Sequence, residues 1–599
     1  MNGQRKWHGH SRKLRFADSL RFRRSRRALA RIAALVLYAA LAVWGTWPLG
    51  RSPAARVALG TEHVSTVPLF NVWTMWWNAD RVLHGFRGYW DAPIFHPAEE
   101  TFAFSEPQPT TVVVAPVVWL TGSRVLAYNV YLWLSLVLNG VFAERLLRLL
   151  GVKRLIAVGG GAAMLLLPIV HWQLGVVQLV PLWGILWTWT VLVKLSRRPT
   201  LWRGVEAGAA FGVTFLTCVH HGLFLAVLLA GAVWMLPRRL RQPRTWFAWL
   251  AAGVAAAVIV GPVALKLHHT LAENEFTRTR EVVGQLSAMP GDYTAAPGRQ
   301  WIDPGDLAAR PYWRLSPGWI KVGLAVVGVA FGLWRRRWRR WTLFLLLTAA
   351  LAFLLSLGPN LHIGSWRPWW TLMEHGPGLS QVRNVFRFAF FVQMAAVLFA
   401  AQGLHGMWVL VRRFLSRIPP GAAGGLWRMK LARYAITTLL AVLGLAAIFE
   451  TRPERPRLAA VPDAGAHAGW IAFVREHTPP GRAIACVPFA GGNQVGDYEA
   501  TTRWMHFGTF HGVPLVNGYS GFFPKEHFEI RDAVNTAFPS EAVLQRLADR
   551  GVEFVVVDRS AIPAEALDRA TFGSLSLERV FADPGGVEVY RLRRAATGS

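Results

Sequence analysis

Apolar runs long enough to cross a bilayer alternate along this chain with short clusters of arginine and lysine, and a soluble core does not produce that order. The runs fall at 28–47, 125–147, 155–170, 179–195, 205–219, 223–236, 246–265, 318–334, 341–357, 385–411 and 434–449. They hold from 14 to 27 residues, around the roughly 20 that a helix needs to cross about 30 Å of hydrocarbon. The basic clusters sit on alternate connections. They are Arg145, Arg148, Lys153 and Arg154; then Lys194, Arg197, Arg198 and Arg203; then Arg238, Arg239, Arg241 and Arg244; then Arg335, Arg336, Arg337, Arg339 and Arg340; then Arg412, Arg413, Arg417, Arg428, Lys430 and Arg433. Short loops with such a bias stay on the cytoplasmic side. The expected fold class is therefore mainly α, a polytopic helical membrane protein of about eleven spans, with a small C-terminal α/β extracytoplasmic domain. Composition agrees: 53% of the 599 residues are hydrophobic and mean hydropathy is +0.29, too apolar and too long for a single soluble core.

The net charge of +31 would also suit nucleic acid. No nucleic-acid-binding motif accompanies it, and the charges lie between spans. The lipid bilayer is the expected partner, and nucleic acid is not. Residues 1–27 read as a basic cytoplasmic tail in which Asp18 is the one acid, suited to anionic lipid. Residues 28–449 read as the transmembrane domain, with outer loops 48–124, 266–317 and 358–384. Within the first loop, 112–120 is short and broken by proline, and reads as re-entrant or interfacial. Residues 450–599 read as the outer domain, with helices at 470–476 and 540–550 and strands at 483–489, 553–558 and 586–591. This places the protein in the cell membrane as a multi-pass chain, N-terminus cytoplasmic and C-terminal domain outside. The two cysteines, Cys218 and Cys486, lie in different regions and are not expected to pair.

The stretch 62–109 is where chemistry is expected, because a plain connector needs far fewer residues. It carries Glu62, Asp80, Asp91, Glu99, Glu100 and Glu106 among aromatics and prolines. A carboxylate at the membrane surface can take a proton from a hydroxyl or hold a metal. Asp91 and Glu106 stand out, since neighbouring prolines fix the backbone around them, and Glu62 follows. His63, His96, His171, His220 and His221 would all face outward and suit the polar lining of a cavity. Their spacing matches no zinc motif, so no metal ligand is assigned and no cofactor is required, a divalent metal remaining compatible with the acids. Arg383 and Arg387 lie four apart where a span begins. On one helix face at its N-terminus they would suit a phosphate; the alternative is snorkelling to headgroups.

Three stretches carry a likeness to a known family. One is Pro68-Leu69-Phe70-Asn71-Val72-Trp73 with Trp90-Asp91-Ala92-Pro93-Ile94-Phe95-His96-Pro97 and Phe102-Ala103-Phe104-Ser105-Glu106. Another is Leu357-Gly358-Pro359 with the segment from Gly376 to Phe388. The third is Pro514-Leu515-Val516-Asn517-Gly518-Tyr519-Ser520-Gly521-Phe522-Phe523-Pro524. In these the chain resembles bacterial polytopic membrane proteins of the GT-C glycosyltransferase type, which often carry an outer C-terminal domain. The resemblance implies transfer of a sugar from a polyprenyl-phosphate donor to an acceptor at the outer face. It implies catalytic work for Asp91, Glu106 or Glu62, a phosphate site at Arg383 and Arg387, and substrate contacts from His96, His220, His221 and Tyr519. Relatives carry Gly-Asp-Pro just after the first span, with that Asp as base; the matching place here is Thr66-Val67-Pro68, so one of the other acids must serve. Two other readings fit the residues: a non-catalytic protein of the same fold that binds a glycan or a protein partner, and a transporter, which the lack of an inverted repeat disfavours.

Overall fold

In a computed structural model of the chain, residues 25, 28–237, 241–302, 313–416, 425–562, 567, 571–572 and 574–594 are described. Nearly all of the expected basic tail, with Arg238, Arg239 and Arg417, lies outside them. Every apolar run of the sequence is helical. The long helices are α1 Ala28–Gly45, α2 Thr66–Leu83, α3 Arg124–Leu150, α4 Arg154–Leu165, α5 Trp183–Arg197, α6 Leu201–Thr217, α7 Val219–Ala232, α8 Pro243–Glu273, α9 Trp319–Trp334, α10 Arg336–Ser356, α11 Ala389–Leu415 and α12 Gly425–Phe449. Among the described residues, 7 helical segments are long and apolar enough to cross a membrane, and Pro109–Thr121, Val219–Met235, Trp319–Trp334 and Tyr434–Phe449 are shorter apolar helices.

Helix packing within the bundle depends on small residues, since lipid supplies no hydrophobic drive for helix association. Gly204 and Gly208 fall on one face of α6 against α8. A Cβ at Gly204 would lie 2.1 Å from the Ala248 carbonyl oxygen, and one at Gly208 would lie 2.2 Å from that of Ala252. This seam docks α8, which buries only 6% of its apolar window and so presents the rest to lipid.

Helix α2 is the element that the sequence reading leaves inside a loop. Leu69, Val72, Trp73, Met75 and Trp77 bury it on more than one face, so no single apolar stripe announces it. Its asparagines fix the returning chain. Gln108 Nε2 donates to Asn71 Oδ1 at 2.8 Å, while Asn78 Nδ2 donates to the Pro107 carbonyl at 2.8 Å and to Thr111 Oγ1 at 3.0 Å. These bonds pin the chain just after Glu106.

The C-terminal region forms a five-stranded sheet from β1 Ala483–Val487, β2 Val552–Asp558, β3 Thr571–Phe572, β4 Leu575–Ala582 and β5 Val587–Arg594, in the order β1-β2-β5-β4-β3. Only β1 and β2 pair in parallel. The alternating apolar residues of β1 and β2 bury both faces, one under helix Glu541–Asp549 and the other toward the outer segment of the membrane domain. The stretch 514–522 lies between sheet and membrane domain. The Asn517 side chain bonds both backbone groups of Cys486 at 2.7 Å, the Asn517 backbone carbonyl accepts the Phe95 N–H at 3.2 Å, the Leu515 carbonyl accepts the His96 N–H at 2.9 Å, and the Phe522 N–H reaches the Phe104 carbonyl at 3.0 Å. Ser65 Oγ donates to Glu499 at 2.7 Å and completes the seam.

Candidate functional site

Between the segment 62–106, the adjoining helix ends and the 514–522 stretch lies a cavity of ≈ 400 Å³. Glu62, Glu106, His220, Arg383, Arg387 and Tyr519 all line it, although they come from five separate parts of the chain. Arg278 lines it too, as do Gln178 and Gln381. Leu223, Leu267 and Leu271, on α7 and α8, give it an apolar wall. Acid, guanidinium and hydrocarbon therefore meet in one space.

The backbone that brings the two expected arginines here is not the expected one. Arg383 lies in coil after the 3-10 turn Leu379–Gln381, Asn384 has φ −93° and ψ 69°, Val385–Phe388 is a single 3-10 turn, and α11 starts only at Ala389. The pair therefore does not share a helix face; the turn aims both side chains into the cavity instead. Arg387 Nε has no hydrogen-bond partner among the described residues. Arg278 is held differently: its Nη2 donates to the Gly521 carbonyl at 2.8 Å and its guanidinium lies 3.7 Å from the centre of the Phe522 ring. Arg278 lies in the loop 266–317, where nothing in the local sequence distinguishes it from the other charged residues.

The carboxylates differ in their surroundings. Burial raises the Glu62 carboxyl above the ordinary range, with Arg387, Arg383 and His63 offsetting part of that rise. Burial alone would also raise Glu106, but His220, Arg387 and His221 outweigh it and hold Glu106 low. Its Oε1 contacts His220 Nδ1, and Oε2 accepts the Val219 N–H at 3.3 Å. Burial, aided by neighbouring Arg383, brings Arg278 down to about 9, and burial pushes the Tyr519 hydroxyl up to about 12. At neutral pH Arg278 is thus a cation and Tyr519 a hydrogen-bond donor. Among the described residues, two groups could hold a metal ion: Glu106 with Cys218 and His220, and Glu100 with His269 and Glu273. In the second, Glu100 is already engaged by Lys266 and Thr270.

Three expected site residues lie elsewhere. Asp91 is exposed and does not line the cavity; its carboxylate accepts the Glu100 N–H at 3.0 Å and so ties the two ends of the loop 91–100. His96 sits in the seam with the C-terminal region, its backbone N–H bonded to the Leu515 carbonyl at 2.9 Å. His221 is buried behind the cavity wall, edge-on to Phe390 at 5.4 Å between ring centres. Val67, at the place where the resemblance calls for an Asp, does line the cavity.

No protein-family model and no curated protein matches the chain. Solved structures do. The arabinofuranosyltransferase AftD from Mycobacteria has a TM-score of 0.50 at 14% identity, with 93% of this chain and 41% of that chain covered. The oligosaccharyltransferase of Archaeoglobus fulgidus gives 0.45 at 13% identity, covering 88% of this chain and 68% of that one. ArnT from Cupriavidus metallidurans gives 0.43 at 14% identity, covering 94% and 98%. The AftD likeness carries the assignment, and at that identity it speaks for architecture rather than chemistry. The chain has the GT-C-type, membrane-glycosyltransferase-like fold.

Proposed function

We propose that this protein is an integral-membrane glycosyltransferase that moves a sugar from a polyprenyl-phosphate donor to an acceptor hydroxyl at the outer face of the membrane. The observation that carries the reading is the cavity itself: Glu62 and Glu106 face Arg278, Arg383 and Arg387 across a space walled by Leu223, Leu267 and Leu271. A lipid phosphate needs that combination, guanidinium groups for the anion and hydrocarbon for the chain. The fold supports the reading, and the positive-inside bias supports an outward-facing cavity.

In this reading the acceptor oxygen attacks the anomeric carbon while the bond from that carbon to the phosphate oxygen breaks. The polyprenyl phosphate leaves with the electron pair, and its growing charge falls on Arg387, Arg383 and Arg278. Glu62 takes the acceptor's proton. It is better suited than Glu106, because its raised value lies nearer the working pH, whereas Glu106 is engaged by His220. Asp91 lies outside the cavity and has no part in the transfer. Tyr519 and His220 are placed to contact the sugar or the phosphate.

The test is turnover by purified protein in lipid nanodiscs given a panel of polyprenyl-phosphate sugars. Product that forms with wild type and disappears with Glu62→Gln supports the reading. Val67 on the cavity wall favours one alternative, a non-catalytic protein of this fold that binds a glycan or partner; binding of a donor without turnover of any member of the panel would establish it.

A further inference from the structure

We propose that Glu106, Cys218 and His220 form a zinc-binding site at the rim of the cavity. The carboxylate oxygen, the thiol sulfur and a ring nitrogen of these residues all lie within 4.8 Å of one another. They reach that arrangement from two distant segments. Glu106 ends the outer segment that Asn71 and Asn78 pin in place, and Cys218 and His220 flank the first residue of α7.

The surroundings enclose Cys218 and hold Glu106 in place. Cys218 is 1% exposed and has no disulfide partner. Its sulfur stands at the N-terminus of α7, beside the backbone N–H groups of His220 and His221. The Val219 N–H fixes the second carboxylate oxygen of Glu106 and so turns the first toward His220. Such orienting bonds are what metal ligands require.

The donor set selects the ion. Sulfur, imidazole and carboxylate together suit Zn²⁺, whereas Mg²⁺ and Ca²⁺ take oxygen alone. Three protein ligands leave a fourth position open, as in zinc sites that meet a substrate. Glu106 and His220 line the cavity, so that position faces the same space as Arg387. A phosphate oxygen or a sugar hydroxyl would complete the coordination. No sequence pattern announces the site, because Cys218-x-His220 is two ligands short of any zinc motif and Glu106 lies far from both along the chain.

The test needs no donor or acceptor, so its failure is separate from failure of the transferase reading. Protein without a histidine tag is purified in detergent, stripped with chelator and titrated with Co²⁺ and then Zn²⁺. The expected result is a thiolate-to-cobalt charge-transfer band in the near ultraviolet that Zn²⁺ abolishes. Cys218→Ser removes the band and weakens zinc by about tenfold or more, the least that loss of a ligand should cost when a supporting residue alone costs that much. His220→Ala weakens zinc comparably, with unchanged gel-filtration behaviour. A wild type that binds Co²⁺ without the band, or binds none, overturns the site, and that measurement does not depend on any variant folding.

Discussion

Two clusters of buried charge sit in this protein, and they are built on opposite principles. Lys321 and Glu450 tie the start of α9 to the end of α12. The Lys321 Nζ donates to the Ala447 carbonyl at 2.7 Å, to Thr451 Oγ1 at 3.0 Å and to Glu450 at 3.1 Å, and Glu450 takes the backbone N–H groups of Ile320 and Lys321 at 2.6 and 2.8 Å. The side chains are only 2% and 3% exposed. In the cavity, by contrast, Arg387 Nε has no partner among the described residues, and three guanidinium groups outnumber two carboxylates. A charge whose bonds are all made holds helices together. A charge left facing a void lacks something that a ligand can supply.

The comparison breaks most sharply at Glu62. Glu62→Gln should lower sugar transfer by about 10²–10⁴-fold, the usual worth of a general base, with melting little changed. Adding Val67→Asp to that variant should restore a measurable part of the rate, because residue 67 lines the same cavity. The pH profile follows from the direction of the shift. Glu62 is held above the ordinary carboxylate range and acts in its ionised form, so the rate should rise as pH climbs through that raised value and then level. Glu62→Gln should lose the rise.

At the other cluster, Lys321→Met leaves Glu450 buried without its counterion. We expect a loss of about 3–5 kcal/mol of stability, read by thermal or denaturant unfolding in detergent, with the activity of the folded fraction intact. Equal stability would mean that the pair is incidental to the bundle. Arg387→Lys comes next. A point charge does not replace a two-pronged donor, so transfer should fall by about 10²-fold with no change in melting. Unchanged activity would leave Arg387 as a snorkelling residue. The smallest effect belongs to Asp91→Asn. The amide oxygen still accepts the Glu100 N–H, so rate and stability should stay within about 0.5 kcal/mol of wild type, as at other surface positions. A collapse of activity there would return Asp91 to the reacting groups.

Local patterns were readable. Apolar runs report helices in lipid because a spanning segment must satisfy its own backbone, and the strands at Ala483–Val487 and Val552–Asp558 showed themselves as β-branched apolar runs. Helix α2 stayed hidden because its apolar residues point several ways and serve a buried environment that only the C-terminal region completes. The acids of 62–109 and the arginine pair at 383 and 387 stood out in the chain, but nothing local separated Glu62, Glu106, Arg383 and Arg387, which line one cavity, from Asp91 and His96, which do not.

The sequence by itself determined the helices, since hydropathy over about 20 residues is a local property that the bilayer reads directly. It also placed the acids of 62–109 and the arginine pair on connections that alternate with the basic clusters. Only the tertiary structure decided which of them meet. Asp91 and Glu106 look alike in the chain, yet Asp91 turns away to hold the Glu100 N–H while Glu106 is carried to Cys218 and His220. Arg278 joins Arg383 and Arg387 across more than a hundred residues. Distances of that kind are set by helix packing and by the seam at Asn517, and no local spacing encodes them.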